Sequence, residues 1–316
     1  MQPRHTLTIL VILVALSAAL FLFYQLPGGA VAYILERRAI KLAALIVTAV
    51  AIAISTSIFQ TVSGNRILTP SILGLDTLYL LVQTLLMFLL GAKSLAMMGR
   101  ISDFLLSVAV MIVFSLALFS LLFGKHTMPL TMVLFLGMVF GQLFGALASF
   151  FQLLIDPNEF LTVQARMFAS FNSVNTALLF SSSVIVAAIA CALVFFLDIL
   201  DVLSLGRESA ITLGVDHRRA SRLFLIIVAI LTAIATALVG PVTFLGLLVV
   251  SLARQIAPTY RHSIILPTSC LLSMLFLIVG QLLFERIFHF NTPISIIINF
   301  AGGIYLLSHL ILRGTV

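Results

Sequence analysis

Side chains able to move a proton, ligate a metal or attack a carbonyl are sparse here: ten Asp and Glu, six His and two Cys in 316 residues. The His stand apart from one another, without the spacing that brings two imidazoles to one metal ion, so each is expected as a loop or interfacial side chain. Neither HExxH nor GxSxG occurs, which removes the metal-assisted and serine-nucleophile routes to peptide cleavage. No GxxxxGK followed by Ser or Thr occurs either, so the chain has no P-loop to cradle the phosphates of ATP. Cys191 and Cys270 fall in apolar runs without metal-ligand spacing and are expected as two buried thiols. Carriers driven by an ion gradient usually keep a titratable group inside a span. Here Asp76, Asp156, Asp198, Glu285 and Arg286 fall near the ends of apolar runs and His309 close to the last one. Any energy used must come from another chain.

Charge gathers in one place. Residues 204–222 read SLGRESAITLGVDHRRASR, with Arg207, Glu208, Asp216, Arg218, Arg219 and Arg222 set between two long apolar runs. Gly206 and Gly214 bracket RESAITL and permit sharp reversals of the backbone, which predicts a short helix from Leu205 to Leu213 lying along the membrane surface. Ala210, Ile211 and Leu213 supply its apolar side, Glu208 suits the positive end of the helix dipole, and Ala210 lets the helix sit close to a partner. Arg218, Arg219 and Arg222 suit an anchor at lipid phosphates. A solvated loop accounts for those three arginines but not for the two glycines or the apolar side, so a docking element for a cytoplasmic partner is expected.

The elements that must position this stretch are membrane spans. The sequence is 62% hydrophobic and 9% charged, with 26 Phe and a mean hydropathy of +1.27. Apolar runs at 6–25, 39–62, 72–91, 104–123, 129–155, 178–199, 220–239, 242–256, 264–284 and 294–312 predict about ten transmembrane helices in one all-α domain, 1–316. The first run is long for a cleaved signal peptide and is read as a span. With both termini in the cytoplasm, that face holds Arg4, Arg66, Lys125, Arg207, Arg218, Arg219, Arg222, Arg254, Arg261 and Arg313 against seven basic residues outside, a weak positive-inside bias. The net charge of +7 points to membrane surface and partners rather than to nucleic acid. PSILGL at 70–75 and GPVTFLGL at 240–247 each place Pro and Gly before an apolar helix, on opposite faces, as an inverted repeat of spans two to five and seven to ten requires. The bland reading is that Gly and Pro are common in membrane helices.

Four ordered segments carry a family resemblance. LGRESAITLGV resembles the LGE-x-x-A-x-x-LGV segment of FecCD-type permeases, the membrane subunits of ATP-binding-cassette importers for iron-siderophores and vitamin B12. FQTVSGNRILTPSILGL looks like their Q-x-x-x-x-NPLA-x-P-x-x-LG signature, with Gln60, Asn65, Pro70 and Gly74 in place. Arg38-Ala39-Ile40-Lys41 is similar to their R-x-P-R, and GPVTFLGLLVVSLAR to their GPI-x-FVGL-x-VPH-x-x-R, matching Gly240, Pro241, Phe244, Gly246, Leu247 and Arg254. Arg66 and Thr69 depart from the usual Pro and acidic residue, Val250-Ser251 from Pro-His, Gly280-Gln281 from Ala-Asp, and FASFNS at 168–173 from W-x-x-GS.

The resemblance implies a type II ABC importer permease that is not an enzyme. It implies that residues 205–214 (Leu205, Gly206, Arg207, Glu208, Ala210, Leu213, Gly214) couple to an ATPase. Arg37, Arg38 and Lys41 would dock a periplasmic substrate-binding protein. Gln60, Asn65, Pro70, Gly74, Gly240, Pro241, Phe244, Gly246 and Arg254 would belong to the translocation pathway. No cofactor is expected on this chain; ATP and Mg2+ would sit on two partner ATPase subunits. A second permease in a heterodimer, a ferric siderophore of catecholate type and a bacterial inner (plasma) membrane complete the implied assembly. The departures look like the divergent branch that serves such siderophores. A vitamin B12 or haem permease is the alternative within the family, and an ion-coupled secondary transporter the alternative outside it.

Overall fold

The computed structural model describes residues 3–25, 31–122, 130–172, 174–286 and 294–313, so Lys125 and Ser173 of the stretches above lie outside the described residues. The helices are α1 (Pro3–Phe23), α2 (Val31–Ser63), α3 (Asp76–Leu122), α4 (Leu130–Leu154), α5 (Pro157–Arg166), α6 (Thr176–Leu193), α7 (Leu197–Leu203), α8 (Arg207–Thr212), α9 (His217–Val239), α10 (Leu245–Ile256), α11 (His262–Arg286) and α12 (Ile294–Arg313). Among the described residues, eight helical stretches are long and apolar enough to cross a membrane. The expected eighth and tenth spans fall on two shorter apolar helices, Leu245–Ile256 and Ser295–Tyr305. The stretch α3 is interrupted at Gly91 and Gly99, whose backbone is not helical, so expected spans three and four are two separate apolar stretches, Ser71–Gly91 and Gly99–Leu121.

Apolar side chains set which helices occupy the centre. Most of α2 from Ala44 to Thr61 and most of the apolar stretch of α9 are buried, whereas α1, α4 and α6 turn most of their apolar surface outward. Outward apolar surface suits hydrocarbon, because a helix satisfies its own backbone and asks nothing polar of the lipid. α2 packs on α9, α10 and α11, and α9 packs on α2 and α3. If α2 is matched to α9 and the second half of α3 to α11, the α2–α11 packing becomes the counterpart of the α9–α3 packing. That is the arrangement an inverted repeat of spans two to five and seven to ten demands.

Helix α2 starts eight residues before the apolar run at 39–62, because its 33 residues exceed what a bilayer needs. Arg37, Arg38 and Lys41 therefore ride on helical turns, not in a loop. Cys191 lies exposed on α6 and Cys270 is half-buried in α11, so the expectation of two buried thiols fails for Cys191, which sits on an outward face.

Candidate functional site

The charged stretch 204–222 folds as two turns around a short helix. Gly206 has φ +94° and Gly214 φ +83°, and α8 runs between them. At the far end the Val215 N–H donates to the Ala210 carbonyl at 3.0 Å and the Gly214 N–H to the Ile211 carbonyl at 3.0 Å. These paired bonds form a Schellman cap, which requires the left-handed backbone that Gly214 supplies. The next helix starts with its own cap: the Asp216 carboxylate accepts the Arg219 N–H at 3.1 Å and pairs with its guanidinium at 3.0 Å.

Ala210 does not do what its size suggests. It is 0% exposed and belongs to the same apolar cluster as Leu200, Leu203 and Phe224, so its small side chain lets α8 sit close to the protein's own α7 and α9. The face offered outward is instead Leu205 (57% exposed), Ile211 (55%) and Leu213 (59%), beside Arg207 and Glu208. Leu205 and Leu213 flank α8 and Ile211 lies on it, so the helix expected over Leu205–Leu213 is shorter, and exposed apolar side chains share this end of the bundle with Arg207 and Glu208.

The motif residues 60–75 and 240–246 meet inside the bundle. After α2 the chain turns at Asn65, whose side-chain oxygen accepts the Ile67 N–H at 2.8 Å, and Thr69 Oγ1 accepts the Ile72 N–H at 3.3 Å. Pro70 opens the wide helical turn Ser71–Leu75, and Gly74, at φ +88°, touches the backbone of α4: a Cβ there would lie 2.8 Å from Gly141 Cα. On the opposite side of the repeat, Gly240 and Pro241 end α9, and the Phe244 N–H donates to Asn299 Oδ1 of α12 at 3.3 Å. Gly246 lets α10 lie against Thr56 of α2. The two broken segments are joined by Asp76. Its carboxyl accepts the Thr243 hydroxyl at 2.8 Å and the Ser71 hydroxyl at 3.3 Å, and the residue is only 6% exposed. A cavity of about 10 Å3 beside it, room for one water-sized occupant, is lined by Ser55, Ser71, Asp76, Thr232 and Thr236.

Asp76 opens an apolar run, and on hydropathy alone it is a span-end residue. The signal that could have placed it inside is the Pro-Gly break before it, which carries the run's start into the bundle. Among the described residues, Gln60 is buried with neither amide atom bonded, and Arg254 Nε is likewise buried without a partner.

At the other end of α2 the basic trio divides. Arg38 donates to the carbonyls of Leu22 and Tyr24, both at 2.8 Å, closing the C-terminal turn of α1 where carbonyls lack partners. Lys41 pairs with Glu285 of α11 at 2.9 Å, and Gln281 donates to the same oxygen at 2.9 Å. Arg286 reaches back to Gln25 at 3.0 Å. These groups fasten α1, α2 and α11 together. Arg37 stays on the surface, its guanidinium over the Tyr33 ring at 5.4 Å.

Comparison with known proteins agrees with this layout. The chain is 48% identical over 305 residues, 96% of each chain, to the petrobactin import system permease protein YclO of Bacillus subtilis (strain 168). It is 37% identical to the petrobactin import system permease protein FatC of Bacillus anthracis, covering 87% of this chain and 78% of that one. A solved structure described as an inward-facing conformation of a metal-chelate type ABC transporter superposes with a TM-score of 0.82 at 22% identity, covering 99% of this chain and 100% of its own, which establishes the shared fold. The FecCD transport family matches residues 6–313, nearly the whole sequence. Whole-length agreement in motif, helix order and fold leaves one assignment: the chain belongs to the FecCD transport family, as a multi-pass permease and not an enzyme.

Proposed function

We propose that this permease carries a ferric siderophore of catecholate type from the outer face of a bacterial cytoplasmic membrane to the cytoplasm, using ATP hydrolysed by two partner subunits. The observation that carries the reading is the match, over most of the chain, to two permeases named for petrobactin import. A ferric enterobactin permease protein of Escherichia coli (strain K12) is also similar, at 25% identity over 264 residues. ATP and Mg2+ belong to the ATPases, which would grip the outward face of α8. A second, unlike permease would complete the pathway. A substrate-binding protein would dock on the outer ends of the helices, meeting Arg37, which is exposed beside Tyr33, while Arg38 and Lys41 hold the local frame.

Asp76 is the group an ion-coupled carrier would use. Its two oxygens already accept the Ser71 and Thr243 hydroxyls across the junction, which suits a fastener between the repeats better than a travelling-ion site. Uptake of radioiron-labelled ferric siderophores and haem, and of radiocobalt-labelled vitamin B12, by cells lacking and then regaining this chain tests the reading. Restored uptake of ferric petrobactin is expected; uptake restored only for vitamin B12 or haem, or for none of the ferric siderophores, contradicts it.

A further inference from the structure

A second polar constellation, with a buried histidine and threonine and a part-exposed carboxylate, lies between α8 and the first broken segment. His262, the first residue of α11, is 1% exposed. Its Nδ1 lies 2.6 Å from Asp201 Oδ1 of α7, and its backbone N–H donates to the same oxygen at 2.7 Å. Its Nε2 lies 2.8 Å from Thr61 Oγ1 in the last turn of α2, a hydroxyl also 2.9 Å from the Ser57 carbonyl. Nδ1–H faces the carboxylate. With Nε2 bare, Thr61 must choose between donating to the ring and to Ser57; with Nε2 protonated, the ring donates to Thr61 and Thr61 donates to Ser57.

The constellation links α7 to the end of α2 and the start of α11, at the opposite end of α2 from the Lys41–Glu285 pair. Asp201 is five residues before Gly206 and shares a short helix with Leu200 and Leu203, on which Ala210 of α8 rests. Thr61 is three residues before Gly64, where the chain leaves α2 for the segment that ends at Asp76. Apolar contacts slide at little cost, whereas a chain of three directional bonds in a largely buried site transmits displacement or breaks.

We propose that Asp201, His262 and Thr61 are positioning residues that hold α8 in register with the inner ends of α2 and α11, so that a displacement of α8 is delivered to the broken segment at 64–75. The proposal rests on the ATPase-docking role given to α8 above. It predicts that loss of the clamp leaves ATPase binding intact and uncouples hydrolysis from transport.

The test uses the complete transporter, with its partner permease, ATPases and binding protein, in proteoliposomes with ferric petrobactin, reading uptake and ATP hydrolysis together. Thr61→Val keeps the side-chain volume and removes the hydroxyl; Thr61→Ser keeps the hydroxyl. Thr61→Val is expected to lower iron taken up per ATP by about tenfold with unchanged ATPase co-purification, and Thr61→Ser to stay within about twofold of wild type. Normal uptake per ATP in Thr61→Val overturns the clamp. Should Thr61→Val not assemble, Asp201→Asn, which retains an acceptor for the α11 amide, carries the same two outcomes. Ala210→Pro separates the layers: if it releases the ATPase while the clamp variants couple normally, only the clamp is lost. If it keeps its ATPase, the docking role fails and the clamp with it.

Discussion

Replacing Gly246 by Ala tests the α2–α10 crossing at its tightest point. A Cβ built on Gly246 would overlap Thr56 Oγ1 outright, and would lie 3.0 Å from Thr56 Cβ and 3.2 Å from Thr56 Cγ2. The overlap is far inside the 3.0 Å within which real Cβ atoms essentially never find a neighbour. Rotating Thr56 relieves this only in part, because its Cβ stays where it was, 3.0 Å away, and its β-branched side chain has few rotamers open to it in a helix. Helix α10 must therefore move away from α2, carrying Phe244 and Thr243 with it. Overpacking of this kind typically destabilises by about 1–3 kcal/mol. Thr56→Ala removes Oγ1 and Cγ2 and leaves only the 3.0 Å approach, so adding it to Gly246→Ala should recover about 1 kcal/mol or more beyond additivity. Unfolding of the four proteins of this double-mutant cycle in mixed micelles, followed by circular dichroism against denaturing detergent, measures both numbers. If Gly246→Ala costs the same whether Thr56 is intact or replaced by alanine, the two helices do not meet there and the reasoning is wrong.

Three further outcomes are expected. Ala210→Pro removes the N–H that donates to the Gly206 carbonyl at 3.0 Å and breaks α8, so the protein should insert normally yet lose its ATPase on affinity purification. Thr243→Val deletes the donor 2.8 Å from Asp76 and leaves a buried carboxyl oxygen short of a partner; unfolding free energy should fall by about 1–3 kcal/mol, and a variant as stable as wild type would show that the junction is not fastened there. Arg37→Glu should weaken binding-protein affinity in a salt-dependent way while leaving thermal stability unchanged, whereas Arg38→Glu should lower stability first because it strips the cap from α1.

What can be read in the sequence, and what cannot, divides along a physical line. Span order follows from apolar run length, and the short helix at 207–212 follows from two glycines around a helix-forming segment. Direction of side chains does not follow. Ala210 and Ile211 are neighbours in one apolar cluster of letters, yet one is fully buried and the other more than half exposed, because only the packing on α7 and α9 decides which side faces in. Hydropathy makes Asp76 and His262 span-end residues because it measures position along the chain. Each is buried by a segment far away in sequence, Thr243 for the first and Asp201 for the second. Arg38 and Lys41 suggest a docking patch in the sequence because their partners, the end of α1 and Glu285, come from separate helices.

The central claim is that transport through this chain is driven by ATP on another. Proteoliposomes holding the permease pair and its ATPases, with binding protein and radioiron-labelled ferric petrobactin outside, test it directly. The account predicts uptake when ATP and Mg2+ are inside, none with a non-hydrolysable ATP analogue, and no change when an ionophore collapses the ion gradients. Uptake that persists without ATP and stops with the ionophore would contradict it.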